Sequence, residues 1–420
     1  KSIVLSDYPQ EDVDIFLAEL SAAKDVFKDE KATQNDIDNS NNSLIDAINI
    51  LRESGVDKSN LRILIEEAKG YSSEVYTQET YAVLVSVIEK AEALLLDSTA
   101  THEEVEIAKE EIRDAIDSLV VKSDIIFTKY DFTYEGNVIT GFSSTGEEKA
   151  KYNKNLVLPD ESLDGISIEV IGQSAFQNVD PIWGTDTATP VGGIETVKLP
   201  SQLKRIEDSA FKYNSLEEIE FPETLEYIGS LAFNVNLLKS VYLPDSVVEL
   251  GQGAFSLNRI TELRLSPNLT EIENGAFSRN LDLENVKLHE GLTRIGQSAF
   301  IGCPIKVIEF PSTLKTIGRM AFSSTRLESV HIPSNVEVIE TEAFKQNVKY
   351  RTLEEVTFEE GLNSIGEGAF MDGMISEVTL PYSLEELGET AFKGNINADK
   401  ESIIVKLHTT NEDHLAFETP

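Results

Sequence analysis

The clearest pattern in the sequence is a ladder of apolar positions that recurs roughly every 22 residues. An Ala-Phe pair closes each unit, and Phe211, Phe233, Phe255 and Phe277 follow one another at a constant interval. Two longer intervals, before Phe211 and before Phe370, correspond to insertions into an otherwise regular unit. The phenylalanines of the ladder are Phe176, Phe211, Phe233, Phe255, Phe277, Phe300, Phe322, Phe344, Phe370 and Phe392.

Each unit follows the frame L-x-x-[IV]-x-[LF]-P-x-x-L-x-x-I-G-x-x-A-F-x-x-N. The alternation at Ile219 and Phe221 predicts a short strand, which Pro222 ends, while Gly229 permits a turn. The apolar positions that follow are predicted to point inward from a short, tight helix or turn. A unit of this size cannot bury its apolar side chains alone, so neighbouring units must stack into a solenoid.

A recurring polar position follows each phenylalanine by three residues. An inward amide there would bond backbone groups of adjacent coils and keep them satisfied away from water. Cys303, the single cysteine, and Thr325 occupy the same position. We therefore expect Cys303 to be buried and not to act as a nucleophile, and no disulfide can form within the chain. The asparagines at this position are Asn214, Asn236, Asn258, Asn280, Asn347 and Asn395.

The first part of the chain repeats itself with a different, helical period. Residues 8–51 align with residues 76–119 at a constant offset of 68. Apolar residues three and four positions apart, such as Leu84, Ile88 and Ala91, mark the buried face of an amphipathic helix. The second module is predicted to form helices near 59–70, 79–96 and 102–120, the last of them after a capping box of Thr101 and Glu104. The first module is predicted to form a helical hairpin, because its first helix would lie before residue 1.

The repeating units resemble BspA-like leucine-rich repeats of bacteria over roughly residues 125–407. Residues 132–141 look like the β-hairpin that opens such domains. The helical part resembles FIVAR modules over residues 8–122, through the motifs Tyr-Thr-x-x-Thr, Ala-Thr-x-x-Glu-Val and Ala-Ile-x-x-Leu. The resemblance implies an α+β multidomain chain, with helical bundle modules followed by a leucine-rich-repeat solenoid that has a parallel strand per repeat. The expected domains are a truncated module at 1–54, a three-helix module at 55–122, a β-hairpin cap at 123–165 and the solenoid at 166–420.

Charge and composition restrict the function. The formal net charge of −38 disfavours nucleic acids and anionic membranes. The sequence contains no apolar run long enough to span a bilayer, so we expect no membrane insertion. The chain begins at Lys1 without a signal peptide, and we expect a fragment whose export signal has been removed. The sequence also lacks paired metal-binding histidines, a G-x-S-x-G elbow, a P-loop and an EF-hand loop, which predicts no metal, no cofactor and no enzymatic activity.

Candidate binding residues lie where strand side chains point outward. One outward column contains Tyr242, Arg264, Lys287 and His331, and its centre is aromatic and basic within an acidic protein. Such residues are favoured at binding hot spots. Alternatively, Arg264 pairs with a glutamate of the next strand. Trp183, in an insertion near residues 179–193, is a second candidate; it either contacts a partner or caps the open end of the solenoid.

The resemblance to BspA-like proteins implies a secreted or surface-displayed protein that adheres to host proteins or other cells. FIVAR modules occur in surface proteins and cell-wall glycosidases of Gram-positive bacteria, usually as spacers. We therefore expect an extracellular, monomeric, non-catalytic binding protein for a host or cell-surface protein. The alternatives are binding of a cell-wall or host glycan through the helical modules, and a purely structural spacer within a larger surface protein.

Overall fold

The computed structural model describes residues 5, 8, 10–29, 31–54, 56, 58–97, 99–178, 182–183, 190–191, 193–395 and 403–407. The chain divides into two compact units, Lys1–Ile125 and Ile126–Pro420. The first unit is helical and the second is a solenoid of parallel strands, as the periodicities predict.

The helical unit contains five helices in its described part. The helices predicted for the second module are confirmed, although the last one ends at Asp117, earlier than expected. Residues beyond it leave the helix because Val121 forms a bridge with Tyr76, and the Thr77 N–H donates to the Val120 carbonyl. The helices are α1 Gln10–Lys28, α2 Gln34–Ser54, α3 Ser59–Ala68, α4 Gln78–Leu96 and α5 His102–Asp117.

Helices α3, α4 and α5 share one apolar core. Leu61 and Ile65 of α3 pack with Leu84 of α4 and Ile112 of α5, and all four side chains are buried. The predicted capping box is present, since the Thr101 hydroxyl accepts from the Glu104 N–H and the Glu104 carboxylate accepts from the Thr101 N–H. Burial of an amphipathic face therefore holds this three-helix module together.

The solenoid unit begins with a β-hairpin and one helix, α6 Ser144–Tyr152, and continues as stacked coils. Its strands up to the middle of the array are β1 Phe132–Glu135, β2 Val138–Phe142, β3 Asn155–Val157, β4 Val170–Ile171, β5 Ile182–Trp183, β6 Pro190–Val191, β7 Thr196–Lys198, β8 Arg205–Ile206, β9 Tyr227–Ile228, β10 Ser240–Tyr242 and β11 Glu249–Leu250. The remaining strands are β12 Glu262–Arg264, β13 Glu271–Ile272, β14 Arg294–Ile295, β15 Thr316–Ile317, β16 Ser329–Ile332, β17 Val338–Ile339, β18 Glu355–Phe358, β19 Ser364–Ile365, β20 Glu377–Leu380, β21 Glu386–Leu387 and β22 Ile404–Leu407.

Two kinds of strand alternate along the coils. The predicted strands pair in parallel as β3–β7, β10–β12, β16–β18 and β20–β22, and we call the surface that they form, together with the equivalent coil segments between them, the strand face. The sequence did not predict the second kind, which are two-residue strands at the Ile-Gly step. Four of them extend the β1–β2 hairpin into a six-stranded sheet, and six others form a second six-stranded sheet. The glycine of this step lets coils approach closely, because a Cβ at Gly251 would lie 2.3 Å from the Ser230 nitrogen. Turns follow these strands, at positions where the sequence was compatible with either a short helix or a turn.

A column of stacked phenylalanine rings forms the centre of the solenoid. The Phe233 and Phe255 ring centroids are 5.3 Å apart with an interplanar angle of 4°, and those of Phe255 and Phe277 are 5.8 Å apart at 3°. All three side chains are fully buried. The same contact links each neighbouring pair from Phe176 to Phe392. The stacking of units inferred from the sequence is therefore confirmed.

Inward asparagines join the coils, as predicted. The Asn258 amide donates to the carbonyl oxygens of Phe233 at 2.9 Å and Phe255 at 3.1 Å, and its oxygen accepts from the Leu238 N–H at 3.1 Å. Asn347 was wrongly assigned to this series, because it is exposed and accepts from the Lys349 N–H. The buried residue there is Gln346, since the chain leaves the regular path at the insertion that follows.

Cys303 takes the asparagine position in one coil. Its side chain is fully buried, and its Sγ donates to the Phe277 carbonyl oxygen at 3.1 Å. Burial raises the pKa of the thiol to about 12, because the thiolate would lose its hydration. The structure therefore supports the interpretation of Cys303 as a structural residue.

We expect Asn258→Ala to lower the free energy of unfolding by about 2 kcal/mol, because it leaves the buried Leu238 N–H without its acceptor and removes one of the two asparagine donors from the carbonyls of Phe233 and Phe255. Urea denaturation followed by circular dichroism measures this change. Asn363→Ala, at an exposed position on the same solenoid, is the control and should change the free energy by less than about 0.5 kcal/mol. Equal effects of both variants would contradict the role assigned to Asn258.

We expect Cys303 to resist alkylation by iodoacetamide in the native protein at pH 8, since a thiol with a pKa of about 12 is almost entirely protonated there. Mass spectrometry should show one added carbamidomethyl group only after denaturation. Rapid modification of the native protein would mean that the thiol is accessible.

Candidate binding surface on the strand face

The strand face places alternate side chains inward and outward. In β10 the inward residue Val241 is fully buried, whereas Tyr242 is 49% exposed. The register pairs Tyr242 with Arg264, so these two predicted binding residues lie side by side on neighbouring coils. Pairing of parallel strands thus converts the repeat of the sequence into a row of adjacent outward side chains.

Tyr242 contacts an acidic neighbour. Its hydroxyl group donates a hydrogen bond to the carboxylate of Glu262 on β12. This bond raises the pKa of Tyr242, because it stabilises the protonated phenol next to a negative charge. The exposed ring is therefore held in one orientation on the strand face by a neighbouring coil.

Arg264 is engaged in an ion pair across coils. Its Nη2 lies 2.6 Å from Oδ1 of Asp245, and its Nη1 donates to the Leu243 carbonyl oxygen at 3.4 Å. Arg264 thus forms an ion pair across coils, as the alternative interpretation predicted. The partner, however, is an aspartate of the preceding coil and not a glutamate of the next strand. Both side chains are more than half exposed, so the pair contributes little to stability.

Lys287 differs from its neighbours because it has no partner. Its side chain is exposed and, among the described residues, forms neither an ion pair nor a hydrogen bond. Lys287 and Arg264 line one groove of about 520 Å³ that crosses three coils. Leu265, Leu288 and Phe310 contribute apolar surface to the groove, and Glu290 and Glu309 contribute carboxylates.

His289 also lines this groove and carries an unsatisfied polar atom. Its Nδ1 lies 2.9 Å from the Glu290 carbonyl oxygen, while its Nε2 is buried and has no hydrogen-bond partner in the described part of the chain. Buried polar atoms normally form hydrogen bonds, so a bound molecule or a water would supply the hydrogen-bond partner that this nitrogen lacks.

The groove opens where the strand face is interrupted. On the strand face, the described residues between β12 and β16 form only an isolated bridge, between Asn285 and Val307. The segment from Asn280 to Val286 is one position longer than the equivalent segment from Asn258 to Leu263 in the preceding coil.

The outward column of the sequence includes Arg264 and Lys287, but His289, Leu288 and the groove itself were not predicted. The available signal was the interval between Phe277 and Phe300, which is one position longer than the intervals on either side of it. A single added position of this kind changes the path of the chain on the strand face without disturbing the apolar frame.

The other two predicted residues lie elsewhere. His331, on β16, contacts the Thr357 hydroxyl through Nδ1 at 2.9 Å and a Glu359 oxygen through Nε2 at 3.4 Å, and it does not line the groove. The backbone of Trp183 lies in β5, which pairs antiparallel with β6. The Trp183 side chain and most of the insertion lie outside the described residues, so its two interpretations stay open.

Two further grooves on the strand face have the same construction but a different charge. One is lined by Lys198 together with Glu218 and Glu220, and the other by residues 355–360 and 377–381, which include several glutamates and no basic residue. The central groove is therefore distinguished by two basic side chains over an apolar floor.

The described ranges contain neither a metal-ion cluster nor a membrane-spanning helix. No group of three or more histidine, cysteine or acidic side chains there is arranged to hold a metal ion. None of the helices in those ranges has the length and apolar character needed to cross a bilayer.

Comparison with solved structures finds several leucine-rich-repeat proteins and a vaccine antigen. A leucine-rich repeat protein from Bacteroides ovatus has a TM-score of 0.38 and 22% identity, with 64% of this chain and 91% of that chain covered. A leucine-rich cell surface protein from Faecalibacterium prausnitzii has a TM-score of 0.38 and 20% identity, with coverages of 66% and 81%. The pneumococcal vaccine antigen PcpA has a TM-score of 0.31 and 20% identity, with coverages of 61% and 85%.

Two curated proteins are similar over short stretches. Lacto-N-biosidase of Bifidobacterium longum is 46% identical over 67 residues, which are 16% of this chain and 4% of the relative. The polysaccharide lyase 8 family protein HylA of Enterococcus faecalis is 29% identical over 117 residues, which are 27% of this chain and 8% of the relative. The chain thus spans only a small part of either relative.

Family models match both units of the chain. The model of the BspA type leucine-rich repeat region, with six copies, matches residues 191–306 and 270–399. The FIVAR domain model matches residues 1–52 and 57–120. The matches agree with the solenoid and the two helical modules described above.

Proposed function

Because the chain is a BspA-type leucine-rich-repeat protein that also carries FIVAR domains, we propose that it is a non-catalytic, extracellular adhesion protein. In this proposal the strand face binds a host or cell-surface protein, and the groove beside Arg264 and Lys287 is the centre of the contact. The observation that carries the proposal is the exposed Lys287, which has no ion-pair or hydrogen-bond partner among the described residues and lies beside the apolar side chains that line the groove.

The geometry of the groove favours an extended segment of a partner protein. Solenoids generally bind through broad repeated surfaces, and the groove crosses three coils. Apolar side chains of the partner would cover Leu265, Leu288 and Phe310, and a carboxylate would pair with Lys287. Arg264 already has a partner, so Lys287 gains more from such a contact than Arg264 does.

Tyr242 extends this surface by one coil. Tyrosine presents a large, rigid contact area at a small cost in conformational entropy, and the bond to Glu262 holds its ring in place before binding. His331 and Trp183 remain predicted contacts that would belong to a wider footprint.

We expect Lys287→Glu to weaken binding to extracellular-matrix proteins at least about tenfold, because a glutamate at this position would repel the partner's carboxylate that Lys287 attracts. Surface plasmon resonance against immobilised collagen, fibronectin and laminin measures the effect.

The matched control is Lys198→Glu, which makes the same change of charge in the same outward column at a different groove. It should leave the affinity within about twofold of the unaltered protein. Equal losses from both changes would mean that net charge alone governs binding. An unchanged affinity of the Lys287 variant would exclude the central groove as the contact.

A second candidate function is carbohydrate binding through the helical modules. It is favoured by the names of the two curated relatives, lacto-N-biosidase and a polysaccharide lyase family protein, because each shares with this chain a stretch that is far shorter than itself. A short shared stretch is typical of an accessory module and not of a catalytic domain.

This candidate predicts that the full chain is retarded in native gels that contain hyaluronan or peptidoglycan fragments. A chain that lacks residues 1–125 should migrate freely, since that part forms its own compact unit. If polysaccharide in the gel changes the migration of neither chain, carbohydrate binding through the helical modules is excluded.

A further inference from the structure

A second groove lies at the other end of the strand face from the groove beside Arg264 and Lys287. It encloses about 380 Å³, and the side chains of Leu237, Leu257 and Leu281 give it apolar walls on three consecutive coils. These leucines precede the strand-face segments of their coils, and the two grooves share no lining residue. We call this second groove the edge groove.

The coil that contains Leu281 is one residue longer at this edge than its neighbours. Leu281 and Asp282 together take the place that a single residue, Arg259, takes in the preceding coil. Leu281 is 66% exposed, whereas Leu237, at the equivalent place one coil further back, is half-buried. A large exposed apolar side chain that adjoins further apolar surface is typical of an interaction site.

Two residues of the edge groove have a backbone conformation that glycine adopts most easily. Leu257 and Arg279 occupy the same position in successive coils, each with a φ of 57°, and the next coil has Gly302 there, with a φ of 74°. A residue with a Cβ is strained in this left-handed region, and glycine is not. The backbone path therefore does not require the larger side chains, and their shared place in the edge groove supplies a reason for them.

Arg279 carries a positive charge that has no partner in the described part of the chain. Lysines on neighbouring coils pair with a glutamate of the preceding coil, as Lys239 does with Glu217 and Lys306 with Glu284. The exposed guanidinium group of Arg279, in contrast, forms neither an ion pair nor a hydrogen bond with a described residue. In a chain of net charge −38, such a cation favours a ligand that brings a carboxylate.

The other charged residues of the edge groove define the ligand more closely. Arg259 of the preceding coil is exposed and lines the same groove, and Asp282 contributes a carboxylate. Two guanidinium groups against one carboxylate make the local charge opposite in sign to that of the whole chain. A guanidinium group binds a carboxylate through two parallel hydrogen bonds, which suits the side chain of aspartate or glutamate.

We propose that the edge groove binds an acidic segment of a partner protein in which large aliphatic side chains lie next to carboxylates. An aliphatic side chain of the segment covers Leu257 and Leu281, an adjacent carboxylate pairs with Arg279, and Asp282 accepts an N–H of the segment's main chain. Because the two grooves share no residue, the proposal does not depend on the contact assigned to Lys287.

A labelled octapeptide of alternating leucine and glutamate is the probe for the edge groove. Fluorescence polarisation with the full chain should give a dissociation constant below about 200 μM. Octapeptides with serine in place of leucine, or glutamine in place of glutamate, should bind at least about tenfold more weakly, because each lacks one of the two groups that the groove recognises. Absence of binding by the first peptide would overturn the proposal. Equal binding of the serine peptide, as expected of a site for any polyanion such as an acidic glycan, would overturn it too.

Arg279→Gly separates a role in binding from a role in folding. It should weaken binding of the probe at least about tenfold. The midpoint of urea unfolding should stay unchanged or rise, because glycine adopts the left-handed conformation without strain. A lowered midpoint would mean that the side chain supports the coil, and an unchanged affinity would mean that it makes no contact; either result would overturn the proposal. Leu281→Ser, at an exposed position, should weaken binding with the midpoint unchanged.

Ser324→Gly is the matched control, because it places glycine at the same position of a coil outside the edge groove, where φ is 59°. It should leave the affinity for the probe within about twofold of the unaltered protein. Equal losses from Ser324→Gly and Arg279→Gly would contradict a specific site. Lys287→Glu tests the other groove: a loss confined to this variant would place the probe there and overturn the present proposal, while leaving the proposed function intact.

A second copy of the chain is the alternative occupant of the edge groove, and sedimentation velocity distinguishes it. The proposal expects the protein alone to be monomeric at micromolar concentration. A dimer that dissociates on Leu281→Ser would show that two copies cover each other's grooves, and it would overturn the assignment to an acidic segment of another protein.

Discussion

The contact between one coil and the next is the constraint on which the solenoid depends. A single coil is too small to exclude water, so its phenylalanine reaches a dry environment only when flanked by the phenylalanines of both neighbours. Stacking also buries backbone carbonyl groups, and the inward asparagine donates hydrogen bonds to carbonyls of its own coil and of the preceding one. The remaining features of the unit, including the close glycine of the Ile-Gly step, follow from the short distance between coils.

The helical unit obeys the same rule in another geometry. Each helix presents one apolar stripe, and three helices are needed to enclose the stripes, as α3, α4 and α5 show. The solenoid covers its repeating surface with further copies of one unit, whereas the helical module covers it with a dissimilar third element. The stability of the helical module therefore depends on the presence of its particular third helix, and the stability of the solenoid depends on the number of stacked coils.

Much of this architecture could be predicted from the sequence because it is periodic. The Phe column, the inward asparagines and the helices of the second module all repeat, and each repetition adds information about the same contact. Features that occur once were harder to predict. Gln346, and not Asn347, is the buried residue beside an insertion, and the groove near Lys287 combines side chains of three coils that no repeated position marks. The two-residue strands were missed because they are too short for an alternating pattern to show.

The substitution of two consecutive asparagines by Cys303 and Thr325 has a mechanical consequence. The thiol and the hydroxyl each make a single bond to a phenylalanine carbonyl, where an amide makes three bonds in other coils. The strand face is also interrupted here, with only the bridge between Asn285 and Val307 in the described part of these coils. Fewer side-chain hydrogen bonds therefore join these coils than join the coils bridged by an asparagine, which lowers their resistance to tension along the array, as in shear flow. A ligand that binds across these coils would add contacts between them, so that ligand binding and resistance to mechanical force become coupled.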